Sequence, residues 1–209
     1  RIVVENTNDL IFIIDRDGKL AWAGYVTTDQ EKFETILGQV IAGNFDVEQM
    51  KKIDNAKRKV TRAMNLADWH SALKAIDAYE KVADLSRDEK QQLEWRRFEC
   101  QAKDRRMRRK AEDKGPQLVR QCEDPYLLNE YAWEMLTNSD YAARFNRLAL
   151  DAAEKANSLT NGKDASIIDT LARAHYELDN LDKAISLQKQ AVKQAPDEDK
   201  EMYQATLDD

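Results

Sequence analysis

Three prolines and six glycines in 209 residues leave few positions for tight turns, which argues against a turn-rich β-sandwich or barrel and for long helices. Two cysteines, Cys100 and Cys122, stand 22 residues apart. That spacing fits neither a C-x-x-C redox pair nor a zinc finger, so both read as packed thiols. There are only two histidines, His70 and His175, and neither has a second ligand at coordinating spacing. No metal and no cofactor is expected. G-x-S-x-G, Walker A, G-x-G-x-x-G and H-E-x-x-H are all missing, which removes the common routes to hydrolysis and phosphate binding. No catalytic residue is assigned. Apolar runs are short, as in Leu10 to Ile14, far below the ~20 residues a membrane-spanning helix needs. Positive charge is not in excess either: the net charge of −6 gives no overall attraction to nucleic acid or anionic lipid. The chain opens at Arg1 without Met or a leader, the reading expected of a processed or truncated product.

What is present is charge and apolar periodicity. Charged residues make up 34% and apolar ones 42%, the composition of a helical protein. The first 45 residues differ from the rest. Asp9 to Asp15 is apolar and β-branched, Arg16-Asp17-Gly18-Lys19 is a turn, and Leu20 to Val26 is a second strand, which together predict a β-hairpin. Thr28 with Glu31 gives capping-box spacing, and Phe33, Ile36, Leu37, Val40 and Ile41 share one helical face until Gly43. From Asp46 onward apolar residues recur at three and four, predicting helices over 47–66, 69–85, 88–111, 126–137, 141–159, 165–178 and 181–194. Gly115-Pro116 and Asp124-Pro125 bracket an expected link. The expected organisation is a hairpin-plus-helix unit over 1–45, a helical hairpin region over 46–115 and a repeat region over 116–209.

Small residues recur at one period near the C-terminus, as they must where helices cross closely. Ala149 and Ala184 are 35 residues apart, and so are Ala156 and Ala191. The second unit reads Leu171-Ala172, Asp179-Asn180-Leu181-Asp182-Lys183-Ala184, Ala191 and Pro196. It resembles a tetratricopeptide repeat, with His175 and Gln188 where that family usually has aromatics. The preceding unit has Ala132-Trp133, Leu136, Ala149, Ala156 and Leu159, with about five extra residues around Asn138 to Ala142. Asp68-Trp69-His70-Ser71-Ala72-Leu73 resembles the middle of another unit, but Tyr79 replaces a small residue. The stretch 46–111 is therefore either a divergent repeat or a plain helical hairpin.

Phe12-Ile13-Ile14-Asp15-Arg16-Asp17-Gly18-Lys19-Leu20-Ala21-Trp22-Ala23-Gly24 is similar to the last hairpin of a thioredoxin fold, most closely that of bacterial envelope thiol–disulfide reductases. The helix that follows would be the fold's last. In that family the redox C-x-x-C lies in the preceding half of the domain and a cis-proline precedes the hairpin, where this chain has Asn8-Asp9. The resemblance implies a larger redoxin-type parent and a periplasmic or envelope location. The alternative is a hairpin that merely caps a helical array.

The tetratricopeptide resemblance implies a protein or peptide partner on the first helix of each unit. By position, the partner-facing residues are Tyr126, Asn129, Trp133 and Leu136 in one unit and Ser166, Asp169, Arg173 and Tyr176 in the next. Trp133 and Tyr176 either face that partner or pack between helices. Arg96, Arg97, Lys103, Arg105, Arg106, Arg108, Arg109 and Lys110 form a basic run that could meet phosphates or an acidic partner. Interleaved Glu94, Glu99, Asp104 and Glu112 favour a solvated face, with no nucleic acid expected. Together these readings describe a mainly α interaction scaffold with tetratricopeptide-like hairpins. The competing function is thiol–disulfide exchange by the parent protein.

Overall fold

The computed structural model describes residues 3–7, 10–15, 17–141 and 143–208, with the side chains of 3–7, 10, 26–29, 31 and 32 outside the description. The protein is mainly helical, with a small antiparallel sheet before the helices. It divides into two compact units, 1–66 with 74–84 and 67–73 with 85–209. Helix α3 (Trp69–Val82) contributes to both.

The first unit opens with a meander of β1 (Val3–Thr7), β2 (Leu10–Ile14) and β3 (Leu20–Tyr25). The expected hairpin is β2–β3, and β1 is a strand the periodicity did not announce. Asp15 shapes the turn, its Oδ1 accepting from Asp17 N at 2.9 Å and Lys19 N at 2.8 Å, while Gly18 takes the left-handed conformation at φ 78°. Ile13 pairs with Trp22 across the strands, so both side chains fall on one face. Helix α1 (Val26–Ala42) covers that face with Ile36 and Val40, and Phe33 meets the Trp22 ring edge-on at 5.6 Å. The helix starts at Val26 after Tyr25, with no side-chain cap, three residues earlier than a Thr28 cap would place it. Gly43 ends it in the left-handed region (φ 76°), its N–H reaching back to the last turn. Helix α2 (Val47–Asn65) follows under an Asp46 cap.

The second unit stacks helices in sequence order. α4 (Arg87–Lys103) packs on α5 (Arg108–Gln121), α6 (Pro125–Thr137) on α7 (Asn146–Leu159), and α8 (Ala165–Tyr176) on α9 (Leu181–Gln194). α7 also packs on α8, α6 on α8 and α5 on α7, and α10 (Lys200–Asp208) covers part of α9. Short turns force each helix back along its predecessor. Ala149, Ala152, Ala153 and Ala156 are fully buried on α7, which lets its neighbours approach closely. An aromatic core fills the other end: Trp95 stacks on Tyr131 at 4.5 Å, and Phe98 and Tyr141 meet Phe145 edge-on at 5.4 and 5.8 Å.

Two readings of this region are corrected. The single helix expected over 88–111 is two, because Asp104 leaves the helix (ψ 115°) and its carboxylate captures Arg106 N at 2.8 Å. The break expected at Gly115-Pro116 is absent. α5 runs through both, and Gly115 is buried where an added Cβ would meet Leu148 Cδ2 at 2.4 Å and Phe98 Cε2 at 3.0 Å. Close packing on α4 and α7 outweighs the one hydrogen bond that proline forfeits. The insertion around 138–142 contains a 3₁₀ turn, Ser139–Tyr141, whose Tyr141 side chain is fully buried. No helix among the described residues is long and apolar enough to cross a membrane.

Candidate partner-binding face

α6 and α8 begin alike. Asp124 Oδ1 accepts from Tyr126 N (2.9 Å) and Leu127 N (3.2 Å), and Asp164 Oδ1 from Ser166 N (3.0 Å) and Ile167 N (3.2 Å). These caps fix which residues face inward. On α6 the inward set is Leu128, Tyr131, Ala132, Met135 and Leu136, and on α8 it is Ala165, Ile167, Ile168, Thr170, Leu171, Ala172 and Ala174.

The expected partner-facing residues divide accordingly. Tyr126 (65% exposed), Trp133 (43%) and Tyr176 (56%) stand in solvent, so packing between helices does not account for them. Leu136 is corrected: it is 8% exposed and belongs to the core, because it lies one turn beyond Ala132 on the inward face. Ser166 and Arg173 are exposed. Arg173 lies 5.5 Å from the centre of the Tyr176 ring and pairs with Glu177 at 2.6 Å, so a flat guanidinium–phenol surface is held in place. Asp169 is half-buried and turned toward α9, accepting from Gln188 Nε2 at 2.7 Å; burial raises its carboxyl above the ordinary range. Asn129 is half-buried too, with an Oδ1 shielded from solvent and without a hydrogen-bond partner among the described residues. Of the expected partner-facing residues, Tyr126, Asn129 and Trp133 on α6 and Ser166, Arg173 and Tyr176 on α8 remain outside the core.

Other residues singled out by sequence have structural places. Lys103, read as part of a basic run, is buried, its Nζ 2.8 Å from Glu99 and 3.1 Å from Glu134. Its ring neighbours are Trp69 at 5.7 Å and Tyr141 at 5.3 Å. Burial works against its charge, but the two carboxylates outweigh it and its pKa rises. Sequence spacing could show Glu99 one turn before Lys103, but not Glu134 and Trp69, which only tertiary packing brings near. His70 is exposed. His175 is half-buried, with Nδ1 shielded and without a hydrogen-bond partner among the described residues, and burial lowers its pKa. No group of metal ligands occurs among the described residues.

Cys100 and Cys122 are both free and fully buried. Burial pushes the Cys100 thiol up to about 12, and Cys122 is raised for the same reason. Neither has the character of an attacking thiolate. Compared with protein families, curated proteins and solved structures, the chain matches none.

Proposed function

We propose that this chain is a protein–protein interaction scaffold whose α6 and α8 helices present a peptide- or helix-binding face. The observation that carries the reading is the exposure of Tyr126, Trp133 and Tyr176 on the first helices of two stacked hairpins. Large rings left in solvent beside a capped, rigid backbone are what interface hot spots are made of. The alternation of Ser166, Arg173 and Asn129 with those rings supplies hydrogen bonds that would set register. The tetratricopeptide-like periods of 35 residues at Ala149/Ala184 and Ala156/Ala191 support the same use of the stack.

The test is a peptide-array or display selection against the whole chain, followed by titration of the selected peptide. Replacing Trp133 and Tyr176 with Ala should weaken binding at least ~10-fold, as hot-spot truncation does. Unchanged affinity in a variant that melts normally would reject this face.

The second reading is a thiol–disulfide oxidoreductase parent of envelope location, with its redox half outside the sequence given. The β2–β3 hairpin covered by α1 through Trp22, Phe33, Ile36 and Val40 favours it. It is tested by the gene sequence preceding Arg1: a C-x-x-C behind an export leader supports it, and its absence leaves the scaffold reading alone.

A further inference from the structure

The turn between α4 and α5 carries charge that the fold does not use. Residues 105–110 read Arg-Arg-Met-Arg-Arg-Lys, five cations in six positions of a chain with net charge −6. Arg108 has a structural role, its Nε and Nη2 each donating at 3.0 Å, to Ala102 O and Asp140 O. The side chains of Arg105, Arg106, Arg109 and Lys110 are exposed and make no ion pair or hydrogen bond among the described residues. Several other cations of this unit are matched, among them Arg144 to Glu112 at 2.8 Å, Lys155 to Glu123 at 2.7 Å and Arg173 to Glu177 at 2.6 Å. The cluster also opposes its own helix, since α5 starts on three consecutive residues of which each is a cation and has no acid in its first turn.

We propose that this turn docks an acidic segment of a partner protein. Guanidinium forks grip carboxylates with two parallel hydrogen bonds each, and three free arginines with one lysine in a single turn match a short run of Asp or Glu. A nucleic acid fits less well. No Phe, Trp or Tyr lies between residues 99 and 125 to stack on a base. Asp104, Glu112 and Asp113 also flank the cations in sequence and would repel a continuous polyphosphate. A lipid surface fits less well again, because none of the exposed large apolar side chains falls in this segment. The proposal extends the scaffold reading to a second surface made of different residues, so either can fail without the other.

Fluorescence anisotropy with labelled dodecaglutamate tests it on the whole chain, with a single-stranded oligouridylate of about the same charge and phosphatidylserine vesicles as comparison probes. The peptide should bind at low salt and weaken at least ~10-fold as salt rises from about 50 to about 200 mM. Replacing Arg105, Arg106, Arg109 and Lys110 with Gln should weaken it at least ~10-fold, while replacing Lys51, Lys52, Lys57 and Lys59 on α2 with Gln should change it less than about twofold. Should the quadruple variant melt early by circular dichroism, the single variants Arg106→Gln and Arg109→Gln serve, each expected to weaken binding about threefold. Equal loss in the α5 and α2 variants overturns the proposal, since it would mean bulk charge alone. So does failure of the peptide to bind at low salt, or tighter binding of the oligouridylate or vesicles than of the peptide.

Discussion

Asp169 lies on the candidate face by sequence position, yet the fold draws it inward to Gln188. Burial raises its pKa above the ordinary 3.8, with the Gln188 hydrogen bond and Arg173 opposing. A raised carboxyl means the folded chain holds its proton at pH values where the unfolded chain has released it. Stability from this residue is therefore present below the unfolded pKa and lost as pH rises through the folded one. Asp169→Asn keeps an acceptor for Gln188 without the charge. It should melt at or above the wild-type temperature at pH 7, with the difference vanishing toward pH 3.5; a variant that melts lower at pH 7 contradicts the buried-charge argument. The cysteines give a second residue-scale prediction. With both thiols fully buried and Cys100 pushed up to about 12, a thiol reagent at pH 8 should titrate almost nothing in the native chain and both thiols in denaturant. Insulin reduction by the chain should likewise stay at background, and turnover lost in a double Cys→Ser variant would overturn this.

At the scale of elements, Gly115 shows what a period can and cannot convey. As a glycine beside a proline it signals a break, since both residues destabilise helix interiors. In the folded chain it is a crossing point, tight against Leu148 and Phe98. The signal was present: Gly115, Ala149 and Ala184 are spaced 34 and 35 residues apart, and so are Cys122, Ala156 and Ala191. Local breaker chemistry outranked a register that needed a third unit to be recognised. Helices α6, α8 and α9 were legible because each carries an unbroken apolar stripe at three- and four-residue spacing. β1 was not, because its alternation is short and its pairing with β2 is tertiary information. For the candidate face, exposure of Trp133 and Tyr176 lay beyond sequence, which left packing open, and Leu136 was misplaced because it sits four residues after Ala132, on the inward stripe of α6. Gly115→Val should destabilise by about 1–3 kcal/mol through overpacking, more than Gly38→Val on α1, where no heavy atom of the described residues lies within 4 Å of the added Cβ. Denaturant melts of the two variants decide it; equal losses would leave only helix propensity at work.

On the scale of the whole molecule, the two compact units differ in how much core each can lose. The sheet and α1 are held by a cluster whose buried members are Ile13, Trp22, Ile36 and Val40, with partly buried neighbours such as Phe33 and Leu37. The stacked helices of the second unit share one continuous core running from Trp95 to Tyr203. Cooperative units of unequal core open at unequal free energies, and the smaller opens first. Trp22 is the largest side chain in the small cluster, pairing with Ile13 across the strands and meeting Phe33 at 5.6 Å. Truncating such a ring costs about 3–5 kcal/mol, comparable to what a cluster of that size can hold in total. Hydrogen exchange of Trp22→Ala should then show β2, β3 and α1 stripped of protection while α6 to α9 exchange as in the wild type. The exposed face on α6 and α8 would keep its shape, and a peptide selected on the wild-type chain should bind the variant within about twofold. Loss of protection in α6 to α9 to the same degree as in the sheet would mean that the chain unfolds as one unit, with the Trp22 cluster part of a single cooperative core.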